Sequence, residues 1–190
     1  MKDGTVIAAF LAAALAGTGV GAQALVEWQE LVIPGVCSLR IAVPQGWNAL
    51  LARPAPGAAE VRITPESGTR AEVTMKSLAP EKALAVKSIG AIKAAVRAMG
   101  EAALPTSVER KLVLERVDGT DGAGFFYSLT DNRPQPEAVG PRCRMQGIMA
   151  VGPLRLAVTV RAVEPGSAAR AMALDLLRTA ECASAKASRQ

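Results

Sequence analysis

No histidine occurs anywhere in the 190 residues. That excludes a Ser-His-Asp or Cys-His nucleophile pair, and with it any His-ligated zinc, copper, non-haem iron or haem. The usual general base near neutral pH is missing too. Acid–base chemistry would fall to carboxylates, Lys, Cys or the single tyrosine, Tyr127. Aromatics are scarce, at 3% of the chain. Beyond residue 25 they are confined to Trp28, Trp47 and the run Phe125-Phe126-Tyr127. The three cysteines form no C-x-x-C pair, which leaves redox catalysis without a motif. Internal repeats and low-complexity segments are absent.

What is present begins with an address. Residues 4–26 carry no charge, Lys2 supplies a positive start, and residues 6–16 (VIAAFLAAALA) form an apolar core. Small residues follow and end in Ala22-Gln23-Ala24. This is the pattern of a secretory signal peptide, cleaved between Ala24 and Leu25. An uncleaved anchor is the competing reading, and only that reading puts the protein in a membrane. Cys37 lies too far beyond the apolar core to carry a lipid anchor. The alanine-rich leader points to a bacterial, periplasmic or secreted protein. The organisation expected is a leader over 1–24, one domain over 25–182 and a flexible polar tail over 183–190. Net charge is +5, from 22 Lys and Arg against 17 Asp and Glu.

Export permits a disulfide. Cys37 opens an alternating run that it shares with Leu39, Ile41 and Val43. Cys143 shares a face with Met145 and Met149. Cys182 closes what reads as the last helix. If that helix folds back along the strand before it, its end lies far from Cys143. The expected bond is Cys37–Cys182, with Cys143 buried and reduced; Cys37–Cys143 stays open.

Period-2 alternation marks strands over 28–33, 36–43, 60–64 and 71–76, with Pro44-Gln45-Gly46-Trp47 as a turn. Pro80 opens a helix whose apolar stripe is Ala85, Ile89, Ile92, Val96 and Met99, with Gly100 near its stop. Strands follow over 108–117 and 125–130. A proline-rich loop over 131–141 comes next, then a hairpin of 144–151 and 154–163 about Gly152-Pro153. A closing helix starts after Pro165-Gly166-Ser167 and buries Ala169, Met172, Ala173, Leu176, Leu177 and Ala180. Strands, helix, strands, helix, with hairpin-like connections, define an α+β fold: a central antiparallel sheet with helices packed on it.

The turn Pro44-x-Gly46-Trp47, the run Gly124-Phe-Phe-Tyr-Ser-Leu-Thr-Asp131 and the Gln146-Gly147 strand resemble bacterial members of the PsbP/Mog-like α/β sandwich class. So does the closing helix Asp175-Leu-Leu-Arg-Thr-Ala180. The resemblance spans nearly all of 27–182. It implies a central antiparallel sheet and a largely non-enzymatic role in binding larger proteins. Relatives include the extrinsic PsbP subunit of photosystem II, Ran-binding transport proteins and chaperones for secreted effectors. They share no active site, so no functional residue carries over, and the class implies no cofactor.

Several positions invite a function. Asp118-Gly-Thr-Asp121-Gly122 faintly resembles a calcium loop, but it lacks the remaining oxygen ligands and reads as a hairpin turn, leaving no metal site. Asp131, Asn132 and Glu137 flank the proline-rich loop. Arg142, Arg144, Arg155 and Arg161 fall on the polar face of the hairpin, a patch for acidic partners or anionic lipid heads. No aromatic-basic motif points to nucleic acid. Two functions remain: an adaptor docking on envelope proteins, or a small-ligand or lipid carrier with a pocket lined by Ile89, Ile92 and Met99. No catalytic constellation assembles, so the chain is not read as an enzyme.

Overall fold

The computed structural model describes residues 26–33, 36–53, 58–67, 71–132, 142–162 and 168–184. The predicted leader, the loop with Glu137 and residues 185–190 lie outside them.

The order is β1 (Val26–Ile33), β2 (Cys37–Pro44), β3 (Trp47–Ala52), β4 (Glu60–Pro65), β5 (Glu72–Ser77), α1 (Pro80–Ala85), α2 (Ile89–Ala103), β6 (Glu115–Gly119), β7 (Gly122–Thr130), β8 (Cys143–Val151), β9 (Leu154–Ala162), α3 (Ala168–Thr179) and β10 (Glu181–Ser184). The fold is α+β with antiparallel pairing throughout. Instead of one sheet there are two. A seven-stranded sheet runs β3-β4-β5-β9-β8-β7-β6, and a three-stranded sheet runs β1-β2-β10.

Alternation decides what each face meets. One face of the large sheet carries Val61, Ile63, Val73, Met75, Phe126, Met145, Met149, Leu156, Val158 and Val160, all buried. It packs against Leu31, Ile33, Leu39, Ile41 and Val43 of the small sheet and against Ala173, Leu176 and Leu177 of α3. The opposite face is covered over β7 and β8 by α2, whose Ile92 and Val96 rest on Phe125, Tyr127, Leu129 and Ile148. Consecutive strand residues point to opposite faces. Phe126 therefore enters the main core, 0% exposed, while its two aromatic neighbours lie under the helix.

Five expectations need correction. The helix opened by Pro80 breaks at Val86 and restarts at Ile89, where the Ser88 side chain accepts from the Ala91 N–H as an N-cap. Its buried stripe is Ile92, Val96 and Gly100; Ile89 and Met99 are exposed. Gly100 lies inside the helix, where an added Cβ would meet Leu112 Cδ1 at 2.5 Å. The strand expected over 108–117 is confined to β6, because residues 107–114 run back past the C-terminal end of α2. There Ser107 bridges to Asp131 and Leu112 and Leu114 pack on the α2 cluster. Trp47–Ala52 is a strand and not merely the end of a turn. Finally, Cys182 does not close a helix: α3 ends at Thr179, and Glu181–Ser184, whose last two residues fall in the expected tail, pairs with β2. That strand delivers Cys182 to Cys37, and the two form a disulfide across 145 residues of chain. Cys143 is buried and takes no part in the disulfide. No described helix is long and apolar enough to cross a membrane.

Candidate functional site

Beyond the edge of α2 no described element covers the second face of the large sheet, which is polar there. One row of cross-strand neighbours is Tyr127, Gln146, Thr159, Thr74 and Arg62. The Tyr127 hydroxyl donates to Gln146 Oε1 at 2.8 Å, and Gln146 Nε2 donates to Thr159 Oγ1 at 3.2 Å. Burial raises the Tyr127 hydroxyl above its ordinary value of 10.0, partly opposed by the Arg144 charge. The phenol therefore stays a donor at neutral pH.

The next row holds Arg144 beside Arg161, direct partners on β8 and β9. Arg142 precedes Arg144 by two residues and shares its face. All three are exposed, and among the described residues none forms an ion pair. The acid nearest in register is Glu72, opposite Arg161. Its carboxylate is engaged elsewhere, accepting from Thr74 Oγ1 at 2.8 Å and lying 3.5 Å from Arg62 Nε.

The same face at β4 and β5 is electrically closed. Glu60 lies 3.0 Å from Lys76 Nζ and 3.2 Å from Arg62. The Lys76 hydrogen bond holds its carboxyl below the ordinary value of 4.5 against the opposing effect of burial, with help from Arg62. On this face, positive charge without an ion pair among the described residues is thus concentrated at Arg142, Arg144 and Arg161.

Arg155 does not belong to this group. It shares the face but sits six residues from Arg161, about 20 Å along β9. Its guanidinium donates to the carbonyls of Gly152 at 2.9 Å, Leu154 at 2.8 Å, and Val86 and Lys87 at 3.3 Å each. Arg155 ties the β8–β9 turn to the α1–α2 junction, a structural task that strand alternation could not reveal.

The other candidates are placed as follows. Asp118 pairs with Arg116 at 2.7 Å, and Asp121 Oδ2 accepts from the Cys182 N–H at 2.9 Å. The two carboxylates fasten the β6–β7 turn and the start of β10. Asn132 donates weakly to the Pro105 and Ser107 carbonyls at the bridge formed with Asp131. Trp47 is partly buried against Ala71, Ala162 and Ala169. Trp28 is 47% exposed on the outer face of the small sheet, with Arg40 5.0 Å above its ring. The space expected between helix and sheet is filled: Ile92 is core, and Lys93 sits 5.5 Å over the Phe125 ring at the rim. A crevice of about 40 Å³ lies between Cys143, Met145, Glu109 and Arg170.

Sequence reasoning missed Glu109. It accepts from the Thr130 N–H and hydroxyl, both at 2.8 Å, and so ties the irregular 107–114 segment to the end of β7. Burial alone would raise its carboxyl, but the Thr130 hydrogen bonds outweigh that and hold it below 4.5. Nothing in the local pattern marks an acid whose partner lies 21 residues on.

Fold and surface together define an α+β protein of two stacked antiparallel sheets with an arginine-bearing face. No protein-family model matches the chain, and no curated protein matches it.

Proposed function

We propose that this is an exported envelope protein that acts as a non-enzymatic adaptor, docking an acidic protein partner on the open half of the large sheet. The observation that carries the reading is the grouping of Arg142, Arg144 and Arg161, exposed and unneutralised among the described residues. Beside them lie the partly exposed Gln146 and Thr159, whose amide and hydroxyl suit a polar interface. The Cys37–Cys182 bond supports export, since such bonds persist in oxidising compartments. The sequence resemblance to the PsbP/Mog-like class points the same way. The carrier reading is the weaker, because the aliphatic residues meant to line its pocket are either core or solvent-facing.

The test is co-purification of the tagged protein from detergent-solubilised envelope, with eluted proteins identified by mass spectrometry. The adaptor reading expects a stoichiometric partner that is lost when Arg142, Arg144 and Arg161 are changed to Gln. A partner that stays bound discards the arginine surface. Elution of the protein alone sinks the adaptor. N-terminal sequencing of the same sample tests export, with Leu25 expected as the first residue.

A further inference from the structure

Among the described residues the large sheet ends on one side at β3, which has a hydrogen-bonded neighbour only in β4. Its backbone polarity can be worked out. The Glu66 N–H donates to the Gly46 carbonyl at 2.8 Å, one step beyond the Trp47–Pro65 pair. Bonded and non-bonded pairs alternate in an antiparallel ladder. Asn48, Leu50 and Ala52 therefore bond to β4, while the N–H and C=O groups of Trp47, Ala49 and Leu51 point away from it. Pro65 agrees with this phase, because it has no N–H and faces Trp47 in a non-bonded pair.

Sheet edges are normally blunted by charge, proline, a bulge or a covering element. The other described edges follow that rule. β6 carries Glu115, Arg116 and Asp118, and its turn is tied to α3 through the Thr120 N–H and the Arg178 carbonyl. β1 carries Glu27 and Glu30, and β10 carries Glu181. β3 reads Trp-Asn-Ala-Leu-Leu-Ala, with no charge and no proline, paired with β4 over its whole length without a bulge. Leu50 is 66% exposed on its open face.

We propose that β3 is a dimerisation edge, pairing antiparallel with β3 of a second copy about a two-fold axis at Leu50. This register sets Leu50 against Leu50 of the second copy in a close, non-bonded pair. It places Ala49 opposite Leu51, and Arg53 opposite Trp47, so the outward backbone groups bond to one another. Charge favours a second copy as the occupant. The strand is neutral, so the two copies meet without repulsion. The two Arg53 residues, each donating to its own Val32 carbonyl at 3.3 Å, fall at opposite ends of the paired strands, so like charges stay apart. The contact is isologous and closes at two copies. It also joins the two large sheets with their arginine faces on the same side. The two Arg161 positions are then seven strand spacings apart, roughly 34 Å.

The test is light scattering coupled to size exclusion on the protein in the form the cell accumulates. Loading is at about 100 μM, above a micromolar dissociation constant. Twice the monomer mass is expected. Two variants then probe the edge. Ala49→Pro removes only an outward N–H, so β3–β4 pairing survives. Leu50→Lys alters an exposed side chain. Each should give monomer, with unchanged circular dichroism, and amide exchange at Trp47 and Leu51 should accelerate at least tenfold. A wild-type monomer overturns the proposal. So does a dimer that both variants leave intact.

Discussion

Changing both Cys37 and Cys182 to serine removes the one covalent link between the start and the end of the domain. In the unfolded chain the bond closes a loop with a sequence separation of 145. Loop-closure entropy for that length is worth about 5 kcal/mol at 25 °C. Two local effects modify the figure. Cys37 is 0% exposed, so a serine hydroxyl there adds a desolvation cost of about 1 kcal/mol. Against this, β10 is a four-residue strand paired only with β2. Once released it can fray, which recovers part of the lost entropy in the folded state. The net expectation is a loss of about 3–5 kcal/mol, a large share of the 5–15 kcal/mol typical of a domain. In urea, with a slope of about 2 kcal/mol/M, the unfolding midpoint should fall by about 2 M. Reduced wild type should unfold close to the double variant. A shift below about 0.5 M in both would refute the loop-entropy reasoning, whose gain grows with loop length.

Arg155→Ala should cost about 2 kcal/mol in the same assay, because it breaks hydrogen bonds to four carbonyls. Arg144→Ala and Arg161→Ala, exposed and without ion pairs among the described residues, should each change stability by less than about 0.5 kcal/mol. Equal effects at all three positions would contradict the separation drawn between them. Gly147→Ala should destabilise by about 3 kcal/mol, since its Cβ would meet the Phe125 carbonyl oxygen at 2.1 Å and Phe126 Cδ1 at 2.4 Å; a neutral melting temperature would contradict that packing. Glu109 has a folded value below its unfolded one, so its contribution is present above 4.5 and fades as the pH falls through the folded value. Glu109→Gln should therefore lower stability at pH 7, with the difference shrinking as the pH falls below 4.5, and a pH-independent difference would refute the role of its charge.

Most strands and both long helices were legible because alternation and helical spacing record burial directly. Val61 and Ile63, Val73 and Met75, and Leu156, Val158 and Val160 read as half-buried strands and are so. The closing helix was readable from Leu176 and Leu177 for the same reason. What failed depended on neighbours distant in sequence. β3 has a weak pattern, with Leu50 facing solvent beside Leu51, and is held by its ladder to β4. β10 is four residues fixed by β2 and the disulfide. Residues 107–114 carry the apolar Val108, Leu112, Val113 and Leu114 and look like strand. Yet Val113 is 70% exposed, and the segment is held by Ser107, Glu109 and the end of α2.

The arginine surface was half legible, and the reason is geometric. Alternation assigns Arg144, Arg155 and Arg161 to one face, and the structure agrees. It cannot say which of them are neighbours. That depends on the hairpin register, pinned by the turn at Gly152-Pro153, where Gly152 adopts a φ of +52°. The register sets Arg144 against Arg161 and Arg155 against Ala150. A slip of one residue would turn Met145 and Val160 out of the core. The packing that buries those two side chains therefore also places two guanidinium groups side by side. The limit of α2 decides the rest, since the helix shields Phe125, Tyr127 and Ile148 but stops short of β9 and β5. An apolar part under α2 and a cationic part thus share one sheet face, and the Tyr127–Gln146–Thr159 row runs from the first into the second.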